Sequence, residues 1–170
     1  YCETDGSGEA ALLCRGLLAL MQARGLKVHT GCEVQGLEVE GDRVSAVRTG
    51  TGRLEAEAFV CALGVIERDL RGAFGADLPI YPVRGHSTTL PIVDPAAAPR
   101  LAGMDDARLA AWCPMGDRLR LTGGAEFAGF GRDVDASGFT RLHALAEELF
   151  PGATDARKAV DRVCRRPMTP

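Results

Sequence analysis

Pro79-Ile80-Tyr81-Pro82-Val83-Arg84-Gly85-His86-Ser87-Thr88-Thr89-Leu90-Pro91-Ile92 is the stretch on which the reading of this chain turns. Three prolines hold its ends in extended or turn conformations, because each fixes its own φ and pushes the preceding residue out of the helical region. Between them Tyr81, Val83, Thr88, Thr89, Leu90 and Ile92 favour a strand. Upstream the chain alternates helix and strand signals; downstream come short strands and one amphipathic helix. The chain leaves one layer here and enters another, which gives a mixed α/β (α+β) class.

Working back from that strand, Asp5-Gly6-Ser7-Gly8 supplies turn and N-cap chemistry ahead of Glu9, an acid suited to the positive end of a helix dipole. Ala11, Leu12, Leu13, Leu17, Leu18, Leu20 and Met21 make a broad apolar stripe over residues 9–24, and Gly25 ends the helix. Leu26, Val28 and Thr30 predict a strand directly after it. Val34, Leu37 and Val39, then Val44, Ala46 and Val47, predict a hairpin across Gly41-Asp42. After a second turn at residues 50–52, the run Ala58-Phe59-Val60-Cys61-Ala62-Leu63-Gly64 reads as a strand buried on both faces. Residues 65–75 predict a short helix closed by Gly75.

Working forward, residues 95–103 read as a proline- and alanine-rich loop. Residues 109–112 and 118–121 predict two antiparallel strands joined through Met115-Gly116-Asp117. Leu142, Leu145, Ala146, Leu149 and Phe150 predict an amphipathic helix stopped by Pro151-Gly152, and residues 159–166 a final strand. The expected division is 1–79, 80–160 and 161–170. The start at Tyr1 and the stop at Pro170 lead us to expect a piece of a longer protein, and apolar surface left uncovered would favour self-association.

Composition narrows the function classes. Twenty basic and 23 acidic residues give a net charge of -3 without a basic run, so nucleic-acid binding has little support. Six cysteines are scattered without a CxxC pair, and no metal is expected; Cys14 and Cys61 read as buried small hydrophobes. No apolar run approaches the length of a membrane span, and reduced thiols suit a cytoplasmic setting, with membrane association on that side open to a longer parent. No P-loop, nucleophile elbow, HExxH or GxGxxG is present. Two positions stand out. His86 follows Arg84-Gly85 in a strand of β-formers and is either a polar pocket residue or an edge histidine. Arg166 precedes Pro167, which holds it extended; it either presents a fixed fork to a carboxylate or belongs to a solvated basic pair. His29 and His143 read as structural or surface residues.

At these residues the sequence resembles a known family. Pro82-Val83-Arg84-Gly85-His86-Ser87 with Leu90-Pro91-Ile92 is similar to the entry of the substrate domain in flavin-dependent D-amino-acid dehydrogenases, where Pro-Val-Lys-Gly-Tyr-Ser is typical. Gly116-Asp117-Arg118-Leu119-Arg120, then Gly123, Ala125-Glu126-Phe127 and Gly129-Phe130, resemble the next block. Arg166-Pro167-Met168-Thr169-Pro170 resembles the start of an Arg-Pro-Met-Thr-Pro-Asp-Gly motif.

The resemblance implies a Rossmann-like FAD-binding domain, in part, with a mostly antiparallel substrate domain, and oxidation of a small D-amino acid to a 2-oxo acid and ammonia. It implies that Val34 meets the adenine of FAD, that Ala62, Leu63 and Gly64 pass beside the nucleotide, and that Arg166 pairs with the substrate carboxylate. His86 stands where tyrosine is common, and Arg84 keeps the charge of a lysine. The glycine-rich turn that binds the pyrophosphate has no counterpart in these 170 residues, so the chain alone is expected to bind FAD weakly or not at all. The competing expectation is a noncatalytic binding module that folds without flavin.

Overall fold

The computed structural model describes Thr4 and residues 6–65, 79–131 and 134–170. The chain forms two compact units, Tyr1–Leu17 with Pro82–Arg166 and Leu18–Tyr81 with Pro167–Pro170.

The first unit is built on a five-stranded sheet whose strand order is Gly103–Asp105 (β5), Ala110–Met115 (β6), Arg118–Glu126 (β7), Tyr81–Pro91 (β4) and Val160–Met168 (β8). The decisive stretch is thus an interior strand, flanked by β7 and β8. β6 and β7 form the expected hairpin, with Gly116 taking the positive φ (65°) at its turn. The short edge strand β5, paired to β6, falls at the end of the segment expected to be loop.

Strand periodicity sorts β4 into two faces. Leu90 joins Ala110, Leu119 and Leu121 in a core closed by Leu142, Leu145 and Ala146 of helix α2 (Ser137–Leu149). Thr88 and His86 share that face. Thr88 Oγ1 lies 3.1 Å from His143 Nε2, which also meets Asp161 Oδ1 of β8 at 3.0 Å. A carboxylate only accepts, so Nε2 carries the proton. His143, expected on the exposed side of its helix, instead bolts α2 to two strands. Trp112 and Phe150 extend the core with an edge-to-face pair at 5.6 Å.

The second unit carries the antiparallel sheet β1 (Val34–Glu40), β2 (Arg43–Thr49) and β3 (Gly52–Glu55). Gly41 turns the first hairpin with φ 65°. Buried Thr49 closes the second by donating its hydroxyl to the Gly52 carbonyl at 2.6 Å. Helix α1 (Ala10–Ala23) ends as expected: Gly25, at φ 97°, donates to the Gln22 carbonyl, and Leu26 donates to that of Met21. That is a Schellman closure.

Several expectations fail on one physical ground. Residues 26–30 and 58–64 are not strands, and Val60 is 93% exposed. A strand buried on both faces needs partners on its edges and layers above and below; among the described residues neither segment is paired into a sheet. Cys14 and Cys61 are exposed, not buried. The apolar stripe of α1 buries no residue. The helix expected over 65–75 lies, beyond its first residue, outside the described residues, as does Asp5 of the expected cap.

Two stability measurements follow. A methyl at Gly16, inside α1, meets nothing within 4 Å, so Gly16→Ala should raise unfolding free energy by about 0.5–1 kcal/mol through helix propensity. Asp135 accepts from the Ser137 hydroxyl (2.6 Å) and backbone N–H (2.9 Å) at the start of α2, and these bonds, the hydroxyl's first, hold its carboxyl below the ordinary aspartate range. A folded pKa below the unfolded one gives stability that is present above the unfolded value and lost as pH falls through the folded one. The denaturant midpoint should therefore drop below about pH 4, and Asp135→Asn should remove part of that drop.

Candidate functional site

The pairing of β4 with β7 breaks once. Arg84 stands opposite Glu126 and His86 opposite Gly123, so β7 carries one extra residue between them. Gly124, with φ 76°, occupies the irregular position. Such a bulge reverses which face the following side chains point to.

On the α2 side the bulge gathers a buried polar cluster. Glu126 reaches Arg84 (3.9 Å) and His86 Nδ1 (3.5 Å). Arg84 also donates to the Gly131 carbonyl at 3.1 Å. His86 is 1% exposed; its Nε2 meets the Asp135 carbonyl at 3.0 Å, and its ring stacks edge-to-face on Phe139 at 4.9 Å. Both ring nitrogens therefore have partners. His86 also lines a cleft of about 500 Å³ beside α2, with Arg108, Arg141 and Glu148 at its rim.

On the opposite face lies Arg166. Its Nη1 donates to the Gly124 carbonyl at 3.0 Å, and its guanidinium lies over Gly85, where an added Cβ would fall 2.2 Å from Nη2. Arg166 is exposed, and among the described residues it forms no ion pair, so its charge is not neutralised within the site. A guanidinium has five N–H groups in a planar fork. One is spent on Gly124; the rest suit a carboxylate. Arg120 on the same face is held by Thr89, its Nε donating to Oγ1 at 3.1 Å. The structure thus brings His86 and Arg166 to the same bulge from opposite sides of the sheet.

The residues expected to meet FAD lie in the second unit. Val34 and Leu63 line one hollow of about 180 Å³ together with Leu37, Val44, Val47 and Phe59. Ala62 is exposed beside it, and Gly64 takes φ 65° next to Pro167. The lining is apolar and carries no cation, so it fits the flat face of an adenine ring and not a pyrophosphate, which needs N–H groups or positive charge. Among the described residues, this lining thus has the chemistry of an adenine contact and not of a pyrophosphate contact.

Gly85, Gly124, Glu126 and Asp135 are the participants that sequence reasoning missed. The Gly123-Gly124 doublet inside a strand pattern was a usable signal for a bulge; the partners of His86 required the fold.

Comparison with known proteins places these observations. A family model described as "DAO: FAD dependent oxidoreductase" matches residues 1–170. The chain is 39% identical over 171 residues to D-amino acid dehydrogenase 2 of Mesorhizobium japonicum, covering 100% of this chain and 41% of that protein. It is 37% identical to the D-amino acid dehydrogenase of Vibrio cholerae, covering 98% and 39%. It therefore spans about two-fifths of the length of these relatives. Among solved structures it is similar in fold to glycine oxidase from Geobacillus kaustophilus (TM-score 0.71, 24% identity, 92% of this chain, 42% of that one). Iminodiacetate oxidase from Chelativorans sp. BNC1 is another (TM-score 0.73, 19% identity, 92% and 42%).

The cluster makes one stability prediction. A methyl at Gly138 of α2 would fall 2.5–2.6 Å from the His86 ring. His86 is 1% exposed and held at both ring nitrogens, so Gly138→Ala should destabilise by about 1–3 kcal/mol in chemical denaturation.

Proposed function

The chain belongs to the DAO family of FAD-dependent oxidoreductases, and from that premise we propose that it forms part of an enzyme that oxidises D-amino acids to 2-oxo acids and ammonia. The observation that carries the reading is the unneutralised Arg166 fork, seated on the sheet face by Gly124 and Gly85. The D-amino acid dehydrogenases of Mesorhizobium japonicum and Vibrio cholerae support the substrate class.

In this reading Arg166 takes the substrate carboxylate in a two-pronged, charge-assisted contact. A carboxylate gripped in one plane fixes the direction of the adjoining α-carbon, and orientation of this kind removes a large part of a bimolecular barrier. The side chain is well placed to do this because it lies across Gly85 of the interior strand β4 and one N–H is already committed. FAD, when bound, supplies the acceptor for the hydride leaving the α-carbon. Val34 and Leu63 would form the apolar wall for its adenine, with Ala62 and Gly64 beside the nucleotide. His86 contributes from behind, bracing Glu126 and the bulge, and does not touch the substrate.

The test uses the longer flavoprotein with D-alanine and a dye acceptor. Arg166→Ala should raise KM and lower kcat/KM at least 100-fold, as expected for losing a bidentate ionic contact. An unchanged kcat/KM, or a flavin that no D-amino acid bleaches without oxygen, overturns the proposal.

A further inference from the structure

We propose that Gly85 is a positioning residue for the reaction: its missing side chain is the seat on which the Arg166 guanidinium rests. This rests on the carboxylate-binding role of Arg166 proposed above and goes beyond it, because it assigns a function to a residue with no chemistry of its own.

Three observations meet at this position. The three atoms nearest to a Cβ built on Gly85 all belong to Arg166: Nη2 at 2.2 Å, Cζ at 2.6 Å and Nη1 at 3.1 Å. Separations under 3 Å between heavy atoms are overlaps, so any side chain at 85 occupies the place of the guanidinium. Next, Gly85 is not among the glycines with positive φ. Its backbone is accessible to any residue, and in a strand interior glycine is the weakening choice. The turn glycines of this chain, Gly41 and Gly116 among them, answer a conformational need; Gly85 answers a need for space. Finally, the space is bounded. Arg166 Nη1 donates to the Gly124 carbonyl at 3.0 Å, and Cys164, two residues back on β8, bonds the Gly85 carbonyl at 3.6 Å through Sγ. The guanidinium therefore has a floor at Gly85 and a stop at Gly124.

What the floor accomplishes is geometric. Arginine has many rotamers, and a fork that must be ordered before each binding event loses affinity. A flat glycine floor lets the plane lie close to the sheet with one N–H committed, leaving its remaining N–H groups held in advance. A methyl at 85 leaves the backbone alone, since the displaced atoms are the far end of a flexible side chain. It lifts the guanidinium off its floor and away from Gly124. The charge survives but its orientation does not.

The experiment compares Gly85→Ala, Arg166→Ala and the double variant in the longer flavoprotein, with D-alanine as substrate, acetate as a carboxylate that is not oxidised, and thermal unfolding as the check on structure. Gly85→Ala should raise KM for D-alanine and the acetate inhibition constant at least tenfold each, with a smaller change in kcat. The double variant should be no worse than Arg166→Ala alone, because the glycine acts through the arginine. If Gly85→Ala also lowers the melting temperature, the double variant must regain it, since removing the guanidinium removes the overlap; failure to regain it overturns the assignment. A Gly85→Ala variant with unchanged KM and acetate binding, beside a damaged Arg166→Ala, overturns the role of Gly85 and leaves that of Arg166 standing. If Arg166→Ala is itself without effect, both fall.

Discussion

One extra residue in β7 organises the part of this molecule that matters. Had β7 run in register past Gly123, Glu126 would point away from α2. The bulge at Gly124 turns it toward α2, where it reaches Arg84 and His86, and presents the Gly124 carbonyl to Arg166 on the other face. Both polar groupings at the bulge therefore depend on one irregularity in the backbone. A glycine in the left-handed region is what makes the irregularity inexpensive.

The two faces of that sheet treat charge differently. On the α2 side, Arg84 and His86 are buried, and both are satisfied by Glu126 and by backbone carbonyls. A buried charge left without partners costs several kcal/mol, so this cluster is a matter of structure. On the open face Arg166 is exposed and has spent one N–H on a neutral carbonyl. It keeps its charge for something else. In the proposed function, bracing falls to the first group and recognition to the second.

Much of this was legible in the sequence, for reasons that can be named. β4, the β6–β7 hairpin, α2 and the β1–β2 hairpin were readable because propensity, turn chemistry and tertiary pairing agree at those residues. Arg166 was readable because a following proline holds it extended. The segments at residues 26–30 and 58–64 read as strands, yet strand character there is a promise that only a neighbouring strand can keep. Among the described residues none does. His143 read only as a structural or surface residue, and its partners across the sheet, Thr88 and Asp161, required the fold. Gly85 stood out only as a glycine of the family-like motif inside a strand: the role proposed for it is defined by a side chain 81 positions away (85 to 166).

The measurement that bears most directly on the central claim is a crystal structure of the longer flavoprotein with a D-amino acid bound under reducing conditions. The account predicts the carboxylate in two parallel contacts of about 2.8 Å to the Arg166 guanidinium, with the guanidinium still flat over Gly85 and bonded to the Gly124 carbonyl. A carboxylate held elsewhere, or an Arg166 turned away from Gly85, would contradict it.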